Sequence, residues 1–190
     1  MDEALAPAPT QSSIVLAGGC FWGIEAVYAH TKGVLSATSG YAGGSAKTAK
    51  YEIVSSGTTG HAESVRVVFD ASTITAGQLL KIFFSVAHDP TQLNRQGPDE
   101  GTQYRSAIFY ADPAQKRIAE AYVAQMNEAK TFRRKIVTEI VPLEGFFPAE
   151  AYHQEYAEKH PFDPYIMIND RPKVERLKKA FPALYVEPRR

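Results

Sequence analysis

Apolar and polar positions recur with clear periods along most of the chain. Ile14-Val15-Leu16-Ala17 is an apolar run of strand type, and a first strand is expected over residues 13–17. Residues 22–31 carry Ile24, Val27 and Tyr28 at helical spacing, with Gly33 as a stop. A second strand is expected over 34–41. Alternation is strongest over 63–69, where Glu63, Val65, Val67 and Phe69 share one face and Ser64, Arg66 and Val68 the other. Leu79, Leu80, Phe83, Phe84 and Ala87 form an apolar stripe on a helix predicted over 75–88 and closed by Pro90. Residues 106–110 read as a strand. Asp112-Pro113 pairs an N-cap with a first-turn proline and opens a helix to residue 130. Residues 136–141 form another strand, and shorter helices are expected over 148–159 and 172–180.

Two stretches break these periods. Ala42-Gly43-Gly44-Ser45 is a turn signal, and residues 46–59 read as irregular. Residues 89–105 have little apolar content, and so long an unstructured stretch inside a compact domain usually carries function. The first six elements run strand, helix, strand, strand, helix, strand. That order predicts an α+β fold, a two-layer sandwich with a split β-α-β-β-α-β (ferredoxin-like) core, plus long loops and a C-terminal extension. Residues 1–12 read as a flexible leader and 13–190 as a single domain, with the tail 161–190 wrapping around it.

Composition narrows the function. The chain has 190 residues, 44% of them hydrophobic, and 21 basic residues balance 21 acidic ones. Zero net charge argues against a general binder of nucleic acid or anionic membranes. Arg133-Arg134-Lys135 reads as a solvated turn. The N-terminal residues lack the basic and apolar regions of a signal peptide, and no apolar run is long enough to span a membrane, so the expected location is cytoplasmic. A single cysteine cannot form an internal disulfide, which fits a reducing compartment. No heptad or long apolar interface pattern is visible, and a monomer is expected.

That cysteine, Cys20, lies in Gly18-Gly19-Cys20-Phe21-Trp22-Gly23, between the first strand and the first helix. A thiol at a helix N-terminus faces unpaired N–H groups and the positive end of the helix dipole, which favour thiolate, the nucleophilic form. The flanking glycines and the aromatic pair suggest a pocket floor. Glu63 is the second candidate. Sharing a face with Val65, Val67 and Phe69 it loses hydration, and its carboxyl can then stay protonated as a general acid. Tyr104, next to a strand, can present a rigid hydroxyl to a substrate oxygen, and Tyr51 is a similar candidate.

Other chemistries lack their residues. His61-Ala62-Glu63 matches half of a zinc deaminase site, but no later Pro-Cys-x-x-Cys completes it. The remaining histidines have no metal-ligand spacing, so no metal is expected. His88, at a helix end, reads as structural. No phosphate-binding glycine loop follows a strand.

Taken together, the chain closely resembles the peptide-methionine (S)-S-oxide reductases, the A-type methionine sulfoxide reductases. The matching stretches are Gly19-Cys20-Phe21-Trp22-Gly23, Gly40-Tyr41-Ala42-Gly43-Gly44 and Gly57-Thr58-Thr59-Gly60-His61-Ala62-Glu63. His88-Asp89-Pro90-Thr91, Asn94-Arg95-Gln96-Gly97, Asp99-Glu100-Gly101-Thr102-Gln103-Tyr104-Arg105-Ser106 and Tyr152-His153-Gln154 follow in family order. The resemblance implies reduction of methionine (S)-sulfoxide, free or in proteins, through a sulfenic acid on Cys20. It implies Glu63 as the acid, Tyr51 and Tyr104 as hydrogen-bond donors to the sulfoxide oxygen, Phe21 and Trp22 as the methyl cup, and Asp99 as an organiser of polar groups.

Two departures stand out. Lys47-Thr48-Ala49-Lys50 precedes Tyr51 where the family usually has Asn-Pro-Thr, and the tail lacks the resolving cysteines of many members. No bound cofactor is implied. Recycling then needs an external thiol: thioredoxin, glutathione or glutaredoxin. A thiol-based redox sensor and a cysteine hydrolase using His61 or His153 as base remain the alternatives.

Overall fold

The computed structural model describes residues 4–188. Its elements are β1 (Gln11–Gly18), α1 (Phe21–Ala29), β2 (Val34–Ala42), α2 (Tyr51–Val54), β3 (Ala62–Asp70), α3 (Ala76–Ile82) and a short hairpin of β4 (Arg95–Gln96) and β5 (Asp99–Glu100). Next come β6 (Ser106–Tyr110), α4 (Pro113–Glu128), β7 (Glu139–Pro142), β8 (Phe146–Pro148), α5 (Tyr156–Lys159) and α6 (Arg171–Ala180). Six strands form one sheet in the order β7-β6-β1-β3-β2-β8, all pairs antiparallel except β6 with β7.

Alternation along the strands builds two unequal cores. Ile14, Leu16, Val65, Val67 and Ile108 face the helices, where Ile24, Val27, Leu79, Leu80 and Leu177 pack on them. Val15, Ala17, Ala62, Ala107 and Phe109 face the other way under Leu143 and Phe146. The guanidinium of Arg66 covers the Phe146 ring at 5.0 Å, so the charged residue on that strand packs on an aromatic face. The fold is mixed α+β, as the element order predicts.

Local chemistry fixes the helix starts. Asp112 Oδ1 accepts from the N–H groups of Ala114 and Gln115 at 2.8 and 2.9 Å, with Pro113 in the first turn. Thr75 and Gln78 form a reciprocal capping box on α3. The predicted helix over 75–88 is α-helical only to Ile82 and widens into a π-turn over Phe83–Ala87.

Several elements differ from the sequence reading. β1 begins at Gln11, ahead of residue 13. Thr10 N–H donates to Asp70 Oδ1 and Ala6 N–H to Ala71 O, which ties residues of the expected leader to the end of β3. Met1, Asp2 and Glu3 lie outside the described residues. The helix expected over 148–159 is instead β8, a 3-10 turn at Ala151–His153 and the four-residue α5. Two causes are visible: Pro148, the first residue of that range, pairs with Gly40 of β2, and Glu155 takes a left-handed conformation (φ 56) that interrupts any continuous helix. The stretch over 46–59 holds a 3-10 turn and α2. The tail runs through a π-turn (Ile166–Asp170) and α6, then returns to the end of α1, where Lys32 N–H donates to Leu184 O and Val186 N–H to His30 O.

Candidate active site

Cys20 caps α1 at its N-terminal end, where β1 has just left the sheet. Gly19 makes the turn with φ 98, and a Cβ there would lie 2.6 Å from the side chain of Gln96. The long polar stretch therefore folds back over the cysteine turn. Gln96 fixes it there by accepting from Asp89 N–H and donating to Asp89 O.

Glu63 opens β3 next to α1. Its Oε2 accepts the Phe21 N–H at 3.1 Å, so the carboxyl fills one of the unpaired donor positions at the helix start. Only 3% of Glu63 is exposed. Burial, reinforced by Asp99 and Asp170, outweighs the Phe21 bond and pushes its pKa up to about 8. Glu63 is thus a neutral acid at pH 7, on the apolar face that the alternation assigns to it.

Cys20 differs from the expectation. The helix terminus was to favour thiolate, but the residue is 8% exposed, and burial pushes its pKa well up, with Glu63 and Asp170 adding to the shift. The N–H of Trp22 and the ammonium of Lys173 pull the other way and lose. Desolvation of a thiolate exceeds the dipole of one short helix. The resting group is a thiol.

Cys20, Phe21, Trp22, Tyr51, Glu63, Asp99 and Tyr104 all line one cavity of about 200 Å³, together with Tyr165. All seven residues singled out in the sequence therefore converge. Burial holds the hydroxyls of Tyr51 and Tyr104 protonated, with the Glu63 charge adding to each shift. Tyr51 stands at the start of α2, where Glu150 Oε1 accepts its N–H at 2.9 Å while Oε2 accepts the Tyr41 hydroxyl. A distant carboxylate thus presents Tyr51 without the family's usual preceding segment. Tyr165 donates to Asp99 Oδ2. It lies in the tail, where no periodicity or motif marks it.

Trp22 is enclosed by residues far along the chain. Tyr156 stacks on its indole at 3.8 Å and 11°, Tyr165 meets it edge-on, and its Nε1–H donates to His153 Nδ1 at 3.2 Å. Behind the first turn of α1, Asp170 (0% exposed) and Lys173 form a buried pair at 3.0 Å. Gly23 makes room for it, since a Cβ there would lie 2.2 Å from Asp170 Oδ1 and 2.6 Å from Lys173 Nζ. Gly23→Ala is expected to destabilise the fold by about 1–3 kcal/mol through overpacking against this pair, read from the midpoint of urea unfolding.

The histidines take structural roles. His88 Nε2 bonds to Ser106 Oγ at 2.7 Å and Nδ1 to Phe83 O, and burial lowers its pKa to about 4. His61 bonds to Ser45 O. Neither His61 nor His153 lines the cavity with Cys20. Among the described residues no group of three or more His, Cys, Asp or Glu is placed to hold a metal ion, and no helix is long and apolar enough to cross a membrane.

Comparison with known proteins points one way. The family model for peptide methionine sulfoxide reductase matches residues 12–184. Peptide methionine sulfoxide reductase MsrA 2 of Mesorhizobium japonicum is 54% identical over 98% of this chain and 95% of its own. The reduced form of Mxr1 from Saccharomyces cerevisiae superimposes with a TM-score of 0.74 at 34% identity, covering 84% of this chain and 91% of Mxr1. Mxr1 in complex with Trx2 matches with a TM-score of 0.52 at 26% identity, over 82% of this chain and 90% of that one.

Proposed function

Because the chain belongs to the peptide methionine sulfoxide reductase family and is an oxidoreductase of that family, we propose that Cys20 takes the oxygen from methionine (S)-sulfoxide and Glu63 supplies the proton that lets it leave. The carrying observation is a buried carboxyl, its pKa raised by that burial, and the chain's one thiol lining the same small cavity.

A sulfoxide oxygen leaves poorly until protonated. Glu63 donates its proton to that oxygen, and the hydroxyls of Tyr51 and Tyr104 hydrogen-bond it as charge develops. Phe21 and Trp22 hold the S-methyl group. Cys20 sulfur attacks the sulfoxide sulfur, forming an S–S bond as the thiol proton passes to the Glu63 carboxylate. The hydroxyl then moves from the substrate sulfur to Cys20 sulfur as the S–O and S–S bonds break, which releases methionine and leaves sulfenic acid on Cys20. Cys20 sulfur loses two electrons, the substrate sulfur gains two, and the thiol proton replaces the one Glu63 gave. Asp99, held by Tyr165, orders the polar side of the cavity. Forming the thiolate only as the substrate accepts a proton reconciles the reaction with a resting thiol.

Two equivalents of an external thiol then return Cys20 to the reduced state, releasing water and a disulfide. Thioredoxin is supported as the donor by the Mxr1–Trx2 complex; glutathione and glutaredoxin meet the same stoichiometry. Residues 13–190 act as one catalytic unit in the reducing cytoplasm, on free or protein-bound substrate. The order β6-β1-β3-β2 supports reading its core as the split β-α-β-β-α-β arrangement.

Mixing the reduced protein with the S-sulfoxide and no reductant is expected to release about one methionine per chain and to add one oxygen to the mass of Cys20. No methionine release would overturn the reading. A sensor would gain oxygen from peroxide but not from sulfoxide, and a hydrolase would release an acyl product.

A further inference from the structure

We infer that Glu25 is a positioning residue for the substrate cup, acting through Tyr156 on Trp22. The inference rests on the proposed role of Trp22.

Glu25 lies on α1 one turn beyond Trp22 and is 3% exposed. A buried carboxylate is costly unless its oxygens are bonded. Both its oxygens accept the N–H of Glu155, at 3.1 Å each, and Oε2 also accepts the Ser39 hydroxyl at 2.9 Å. Glu155 sits in the left-handed region, which a residue with a Cβ adopts only when its surroundings hold it there. Gln154 secures the preceding step. Its Oε1 accepts Ser39 N–H, and its Nε2 donates to Ser39 O and Ala149 O. The residue after this doubly anchored pair is Tyr156, whose ring lies flat on Trp22. A contact between positions 130 apart in sequence thus sets the strained turn that delivers Tyr156 to the indole face. Without it, His153 and Tyr165 still touch Trp22, but its broad face is unsupported.

Trp22 is the chain's one tryptophan, so its emission reports on this contact directly. Glu25→Ala is expected to shift that emission to the red and raise its acrylamide quenching about threefold in folded protein. In the same variant KM for methionine sulfoxide should rise about tenfold, while the single-turnover rate at saturation stays within about twofold. Glu25→Gln keeps an acceptor for Glu155 N–H and an amide for Ser39, and is expected to restore both readouts. Tyr156→Ala removes the other end of the chain of contacts and should reproduce the Glu25→Ala changes, and the double variant should add little to either single one. If Glu25→Ala does not fold, unchanged emission and KM in Tyr156→Ala overturn the inference, and Ser39→Ala, which removes one Glu25 partner, is expected to move both readouts in the same direction. Emission and KM unchanged in folded Glu25→Ala, or additive effects in the double variant, would overturn the inference. Inactive wild-type protein would instead overturn the reductase reading.

Discussion

Glu63→Gln is expected to slow oxygen transfer to Cys20 by about a hundredfold to ten-thousandfold, the usual contribution of a positioned general acid. Glutamine keeps the size of the side chain and an oxygen for the Phe21 N–H, but has no proton to give. The pH profile carries the sharper signature. With its pKa raised to about 8, Glu63 stays protonated through neutral pH, so the wild-type rate should hold level there and fall as pH rises past about 8. In Glu63→Gln that alkaline fall should vanish. A variant within threefold of wild type at pH 7, measured by single-turnover methionine release, would remove Glu63 from the acid role.

The same substitution has an opposite effect on stability. Glu63 has a folded-state pKa raised from 4.5 to about 8. Below the unfolded value both states are protonated. As pH rises past it, the unfolded chain sheds the proton first, so stability declines until the folded group also ionises near 8. Removing that titration should stabilise Glu63→Gln at pH 7 relative to wild type, by on the order of 3 kcal/mol, with the gain disappearing near pH 4. Denaturant unfolding at the two pH values reads this directly. An enzyme that becomes more stable as it loses its activity is the pattern of a carboxyl buried for chemistry.

Cys20→Ser is expected to abolish methionine release altogether. The reaction oxidises the attacking atom by two electrons, and a serine oxygen cannot accept the sulfoxide oxygen as a sulfur does. The replacement is nearly isosteric, and its buried hydroxyl should cost only about 1–3 kcal/mol of stability, so folded protein remains available for the assay. Detectable turnover of the S-sulfoxide by folded Cys20→Ser would show that another group performs the transfer.

The strand alternation that places Glu63 with Val65, Val67 and Phe69 was readable in the sequence because period two is a local property. The Asp112-Pro113 helix start was readable for the same reason. Cys20 and Tyr104 are marked by their places at a helix start and beside a strand, Phe21, Trp22 and Asp99 by their motifs, and Tyr51 by the family resemblance despite its altered preceding segment; the fold brings them to one cavity. What stayed hidden depends on partners distant in sequence. The ionisation of Cys20 reversed because its neighbours bury it, a property no helix-start rule contains. Tyr165 reaches Asp99 across 66 positions. Pro148, the first residue of the expected helix, instead ends β8, because β2 offers it Gly40 to pair with. Glu155 likewise stops a helix only because Glu25 waits to hold its N–H.

The resting thiol of Cys20 also bears on survival during an oxidant burst. Peroxides and alkylating electrophiles attack thiolates far faster than thiols. Burial raises the cost of forming the Cys20 thiolate, so the proposed nucleophile should react more slowly with peroxide than an exposed thiolate does. Chemical selectivity of this kind comes from withholding the reactive form until substrate fills the cavity.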